Sequence, residues 1–192
     1  YEISACLVGS GDVYKRQKLL SETSLFSPDL SARAAALSPE SLTQLRTAEL
    51  PALLRKLRQM LQVALVGVIR QQDMDTNLGY MARVFARLET LCKSAPLESL
   101  WQIASGVVEG LSNGSIANGT SVRTLLRQVD KELKRLTEQG ADGINQRAPD
   151  ELTKNLLFYV AKASPQSPRN QVLRERYNLS LIHISEPTRQ AE

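Results

Sequence analysis

The sequence is nearly without histidine, poor in cysteine and sparing with aromatics. One histidine, His183, serves 192 residues. That leaves no His–His pair for a metal site and no histidine base beside a serine or cysteine nucleophile within the fold. Two cysteines, Cys6 and Cys92, are too few for a disulfide scaffold. No apolar run reaches the roughly 18 residues of a membrane span, so no membrane insertion is expected. A GxxxxGKS/T phosphate loop, a kinase-type Asp/Asn arrangement and the Glu-x-x-His signature of bundle di-metal sites are all missing. No metal, no cofactor and no enzymatic reaction are therefore expected of this segment. What is there is 42% hydrophobic and 23% charged, the balance of a globular fold, expected in the cytoplasm.

The two ends differ in style from the middle. Residues 1–17 and 180–192 resemble translated sequencing-adapter DNA and are expected to be non-native, to be set aside as a fusion scar would be. They also hold two lures. Leu7-Val8-Gly9-Ser10-Gly11-Asp12 reads like a strand entering a glycine loop, but no third glycine and no βαβ alternation follow. His183 is a lone, incidental histidine. Residues 18–179 then carry 21 Lys and Arg against 16 Asp and Glu, net +5, with Cys92 as their one cysteine. They divide into a lead-in at 18–37, a helical bundle at 38–163, and a tail or short helix at 164–179.

Helical periodicity dominates the bundle. Leu25-Phe26, ahead of Ser27-Pro28, marks a docked lead-in loop. Ser38-Pro39-Glu40 starts a helix: serine caps, proline suits the first turn, and glutamate favours the positive end of the dipole. Pro51 must begin a second segment or kink the first. Leu50, Leu53, Leu54, Leu57, Leu61, Ala64, Leu65 and Val68 then recur on one face up to about Gln72. Leu78, Met81, Phe85, Leu88 and Cys92 form a second stripe over about 76–93, with Asp73 or Asp75 able to cap it. Cys92 reads as a small core residue rather than a reactive thiol. Ala95-Pro96 opens a third helix, in which Trp101 reads as a core residue whose N–H finds an acceptor. Asn113-Gly114 stops it. Asn113-Gly114-Ser115 and Asn118-Gly119-Thr120 match a glycosylation pattern, but read as turn residues.

The fourth helix is the clearest. Ser121 can cap it, Val122, Leu125, Leu126, Val129, Leu133 and Leu136 face inward, and Gly140 ends it. Outward it is basic. Arg123, Arg127, Lys131 and Arg135 stand four apart and form the candidate partner-binding row, with Asp130 and Lys134 spaced for an i, i+4 ion pair. Pro149-Asp150-Glu151 begins a fifth helix, which Ser164-Pro165 breaks. Glu89, Glu98 and Glu109 are spaced like solvated surface. The fold class is all-α: an antiparallel bundle of four to five main helices. A nucleic-acid-binding domain using the basic helix is the alternative function, disfavoured by few aromatics and a modest net charge.

A family resemblance adds to this reading. Lys18–Leu30, Leu54–Gln59, Ala82–Cys92, Trp101–Gly106, Arg123–Arg127 and Asn155–Lys162 look like the amino-terminal region of the Chp-type chemotaxis hybrid histidine kinases that control type IV pili. The matching piece lies just after the first phosphotransfer domain, and pilus scaffold proteins of the FimL type share it. The resemblance implies a phosphotransfer-like bundle from a two-component pathway governing twitching motility, with a histidine kinase as parent. Such domains carry a phosphorylatable histidine, and none is present in 18–179. What is implied is a scaffold or docking module whose partners are proteins of the pilus chemosensory pathway.

Overall fold

The computed structural model describes residues 26–30, 34–163 and 167–179, and every element among them is helical. The glycine loop at Gly9 and Gly11, Cys6, His183 and the break at Ser164-Pro165 lie outside the described residues. The helices are α1 (Pro39–Leu45), α2 (Leu50–Ile69), α3 (Met74–Leu91), α4 (Glu98–Ser112), α5 (Thr120–Gln139), α6 (Ala141–Ile144), α7 (Asp150–Lys162) and α8 (Pro168–Arg176). Five are long, as the periodicity required.

Local chemistry explains most boundaries. Ser38 accepts a hydrogen bond from Ser41 N at 3.3 Å and caps α1. Pro51 falls in the first turn of α2, so it begins a helix rather than kinking one. Gly140 ends α5 at a positive φ of 64°. Two expected caps are not made. Asp73 precedes α3 in the left-handed region without a side-chain cap bond, and Gly119, not Ser121, holds the N-cap position of α5. Asn113 behaves as the turn residue it was read to be, its Oδ1 accepting from Ser115 N at 2.9 Å. The small helix α6 bridges α5 and α7 along the chain; Ala141 and Ile144 are buried and hold it to the core.

Packing follows the stripes. α2 lies between α3 and α5, α3 packs on α4, and α4 packs on α7 and α8. α4 is buried nearly all round, from Ser99 to Leu111, as befits a helix with neighbours on several sides. Phe85 stacks on Trp101 with ring centroids 6.1 Å apart. Trp101 is fully buried, but its indole N–H makes no hydrogen bond of ordinary geometry among the described residues, against expectation; its looser side-chain contact with the Cys92 thiol works to lower that group's pKa. Cys92 is buried and free, and burial pushes its thiol up to about 12.

The lead-in and tail join this core. Phe26 is buried edge-on against Phe158, centroids 5.8 Å apart, and Asp29 N donates to Tyr177 O at 3.0 Å. Leu173 and Tyr177 are buried with the bundle. Arg174 fastens α8 across α7: its guanidinium donates to the Ala161 carbonyl at 2.7 Å and to that of Ala163. Those carbonyls belong to the C-terminal turn of α7, which is electron-rich and lacks helical partners.

Candidate functional site

The basic row on α5 divides in two. Its inward stripe is buried throughout, so the cations are held on a rigid helix facing away from the core. Arg123, at the first turn, folds back on the chain. It donates to Asn118 Oδ1 and to the Asn118 carbonyl, both at 3.0 Å, while Asn118 Nδ2 donates to Val68 O at the end of α2. Arg135, near the other end, pairs with Glu132 at 2.7 Å and donates to Gln146 at 2.6 Å. Both guanidiniums are half-buried and serve the fold. Arg127 and Lys131 between them are exposed, and neither has an ion-pair partner among the described residues.

The expected Asp130–Lys134 pair is not formed. Asp130 reaches across to Arg58 on α2, with guanidinium–carboxylate distances of 3.4 Å. A partner on a packed helix gains from burial what a surface neighbour cannot. Lys134 is thereby left exposed, without an ion-pair partner among the described residues.

A second charged region forms where α3, α4 and α8 meet. Arg169 of α8 pairs with Glu89 at 3.2 Å and with Glu109 at 3.7 Å. Ser167 donates to the other oxygen of Glu109, and Arg176 donates to Gln102 at 2.6 Å. Glu89, Gln102, Glu109, Arg169 and Arg176 line a cleft of about 440 Å³ with Val172 and Leu173. Glu89 and Glu109 are thus not the solvated surface their spacing suggested; only a long-range arginine reveals their role. Gly106, on the same side of α4, lets α8 approach. A Cβ there would stand 2.6 Å from Asn170 Oδ1 and 2.8 Å from Leu173 Cδ1.

Among the described residues no group of three or more His, Cys, Asp or Glu could hold a metal ion. No described helix is long and apolar enough to cross a membrane.

Residues 46–189 match the family described as FimL scaffold protein second domain. The chain belongs to that family. The matched span takes in the whole of α2 to α8, both charged regions included, and it runs into the C-terminal segment beyond residue 179. Among curated proteins, the scaffold protein FimL of Pseudomonas aeruginosa is 32% identical over 132 residues, which are 69% of this chain and 23% of that protein. The chain thus spans about a quarter of the length of this relative. No solved structure matches.

Proposed function

We propose that this chain is a non-catalytic docking module of a type IV pilus chemosensory pathway, in the cytoplasm, binding other proteins of that pathway. The match of residues 46–189 to a scaffold protein's domain carries the reading. Free cations at Arg127 and Lys131, on a helix whose opposite face is closed into the core, support it. The finer reading is a phosphotransfer-like bundle without its histidine, from a phosphorelay whose parent carries a histidine kinase. Phosphoryl transfer in such a bundle needs an imidazole nitrogen as nucleophile, and residues 18–179 contain no histidine. The bundle then holds partners without accepting phosphate. The foreign origin of residues 1–17 and 180–192 belongs to the same proposal. The family match begins at residue 46 and is silent on residues 1–17, and where it enters residues 180–189 it counts against a foreign origin there.

Two measurements test this. Incubation with a pilus-pathway histidine kinase and ATP is expected to leave the chain free of acid-labile phosphate; stable labelling within residues 18–179 would overturn the reading. A chimera of the Pseudomonas scaffold protein, its matched segment replaced by residues 46–179, is expected to support twitching. Loss of twitching by a chimera that accumulates normally would refute the docking role.

A further inference from the structure

The free cations of α5 do not stand alone. α2 carries Arg55, Lys56 and Arg58 and no carboxylate, and α5 has more basic than acidic residues. Elsewhere among the described residues acidic and basic side chains nearly balance. The excess positive charge of the fold is therefore gathered on two helices that pack against each other.

Their register follows from two bonds. Arg58 pairs with Asp130, and Val68 O accepts from Asn118 just before α5. α2 and α5 therefore run antiparallel, with the Arg58–Asp130 pair on the seam between them. Positions three or four away on a helix lie on the same face, one turn along. From Arg58 these are Arg55 and Gln62; from Asp130 they are Arg127 and Lys134. Arg55 and Lys134 thus flank the seam at one level, and Gln62 and Arg127 at the other. All four are exposed, and the three cations have no ion-pair partner among the described residues. Half-exposed Val66 lies one turn beyond Gln62.

We infer that the seam between α2 and α5 is a docking face for an acidic amphipathic helix of a partner protein, held by Arg55, Arg127 and Lys134. The geometry suits a helix. Arg127 and Lys134 are seven residues apart, about 10.5 Å along the axis, which is the spacing of carboxylates two turns apart on a partner. A third helix laid over two packed ones meets ridges on both sides at the usual 8–10 Å separation. Nucleic acid fits less well. Neither α2 nor α5 contains an aromatic residue on which bases could stack, and the Asp130 carboxylate lies on the seam a phosphate backbone would follow. The inference rests on the docking-module reading and gives its partner a chemistry.

The test uses the full chain and a labelled alanine-based helical peptide of about 20 residues, with glutamates one turn apart on one face. Its glutamine counterpart and a duplex DNA of similar length are the competing probes. The glutamate peptide is expected to bind, the glutamine peptide to fail, and the affinity to fall as salt rises from about 0.05 to 0.15 M. Arg55→Glu and Lys134→Glu are each expected to weaken binding about tenfold, while Lys93→Glu, reversing an exposed charge elsewhere, changes it less than about twofold. Far-UV circular dichroism checks that the variants stay folded. No peptide binding, equal effects of Lys93→Glu and Arg55→Glu, or tighter binding of the duplex would each overturn the inference. A chimera that supports twitching while the peptide is ignored removes this face and keeps the module; peptide binding with a failed chimera does the reverse.

Discussion

The two charged regions use the same residue types to opposite ends. In the cleft between α3, α4 and α8, Arg169 bridges Glu89 and Glu109, and Ser167 and Gln102 complete the set. On the α2–α5 face one pair, Arg58–Asp130, is closed, and Arg55, Arg127, Lys131 and Lys134 are left open. A charge that has found its counter-ion inside the chain holds an element in place. One held on a rigid helix without a counter-ion keeps its field for something outside. The difference separates a fastening from the face proposed to bind a partner, and neither composition nor net charge distinguishes them.

The largest expected effect breaks both regions at once. Leu126→Asp places an unpaired carboxylate at a position 1% exposed, on the inward face of the helix that displays the cations. A cost of about 3–5 kcal/mol is expected, enough to abolish cooperative melting by circular dichroism; a folded variant would mean that α5 is not part of the core.

A second effect reads the interior beside the cleft. Cys92 lies one turn beyond Glu89, and its thiol is raised from 9.0 to about 12, first by burial and then by Glu98, with Trp101 opposing. The unfolded chain releases this proton near 9.0 and the folded chain only near 12, so its stabilising contribution is complete below 9 and is lost as pH rises between them. Wild type is expected to lose up to about 1.4 kcal/mol per pH unit over that window relative to Cys92→Ala. Parallel denaturation curves for the two at each pH would show that the thiol is not shielded.

The third prediction sharpens the comparison directly. Arg169→Ala strips Glu89 and Glu109 of their shared counter-ion and is expected to cost about 1–2 kcal/mol in urea denaturation. Protease cutting around α8 should increase with it. An unchanged midpoint would move the cleft into the class of open surfaces.

The smallest effect is within a single row. Arg127→Glu is expected to shift stability by less than about 0.5 kcal/mol, as for other exposed sites. Arg123→Ala, four residues earlier, should cost about 1 kcal/mol, because it releases the Asn118 link to α2. Equal costs would erase the distinction between the ends of the row and its middle.

Much of the helical layout was legible because it is local. The stripe Leu54, Leu57, Leu61, Leu65 and Val68 declares a helix whatever it packs on, and Pro39, Pro51 and Gly140 mark ends through their own backbone limits. Less of the site was legible. Arg123, Arg127, Lys131 and Arg135 look alike in a periodic pattern, yet Asn118 and Gln146 set the first and last apart. α6 escaped notice because four residues, Ala141–Ile144, carry too short a pattern to count.

By itself, then, the sequence determined the all-α class, the inward stripe of each long helix, the placing of Cys92 and Trp101 in the core, and the lack of a phosphoryl-accepting histidine in residues 18–179. Those follow from side-chain type and from a period of 3.6, both contained in neighbouring residues. Only the tertiary structure decided that Asp130 serves Arg58 rather than Lys134, that Glu89 and Glu109 share Arg169 across 80 and 60 residues of chain, and which cations stay open. Partner choice among charges depends on distance and burial in space, and packing brings together residues whose separation along the chain carries no sign of it.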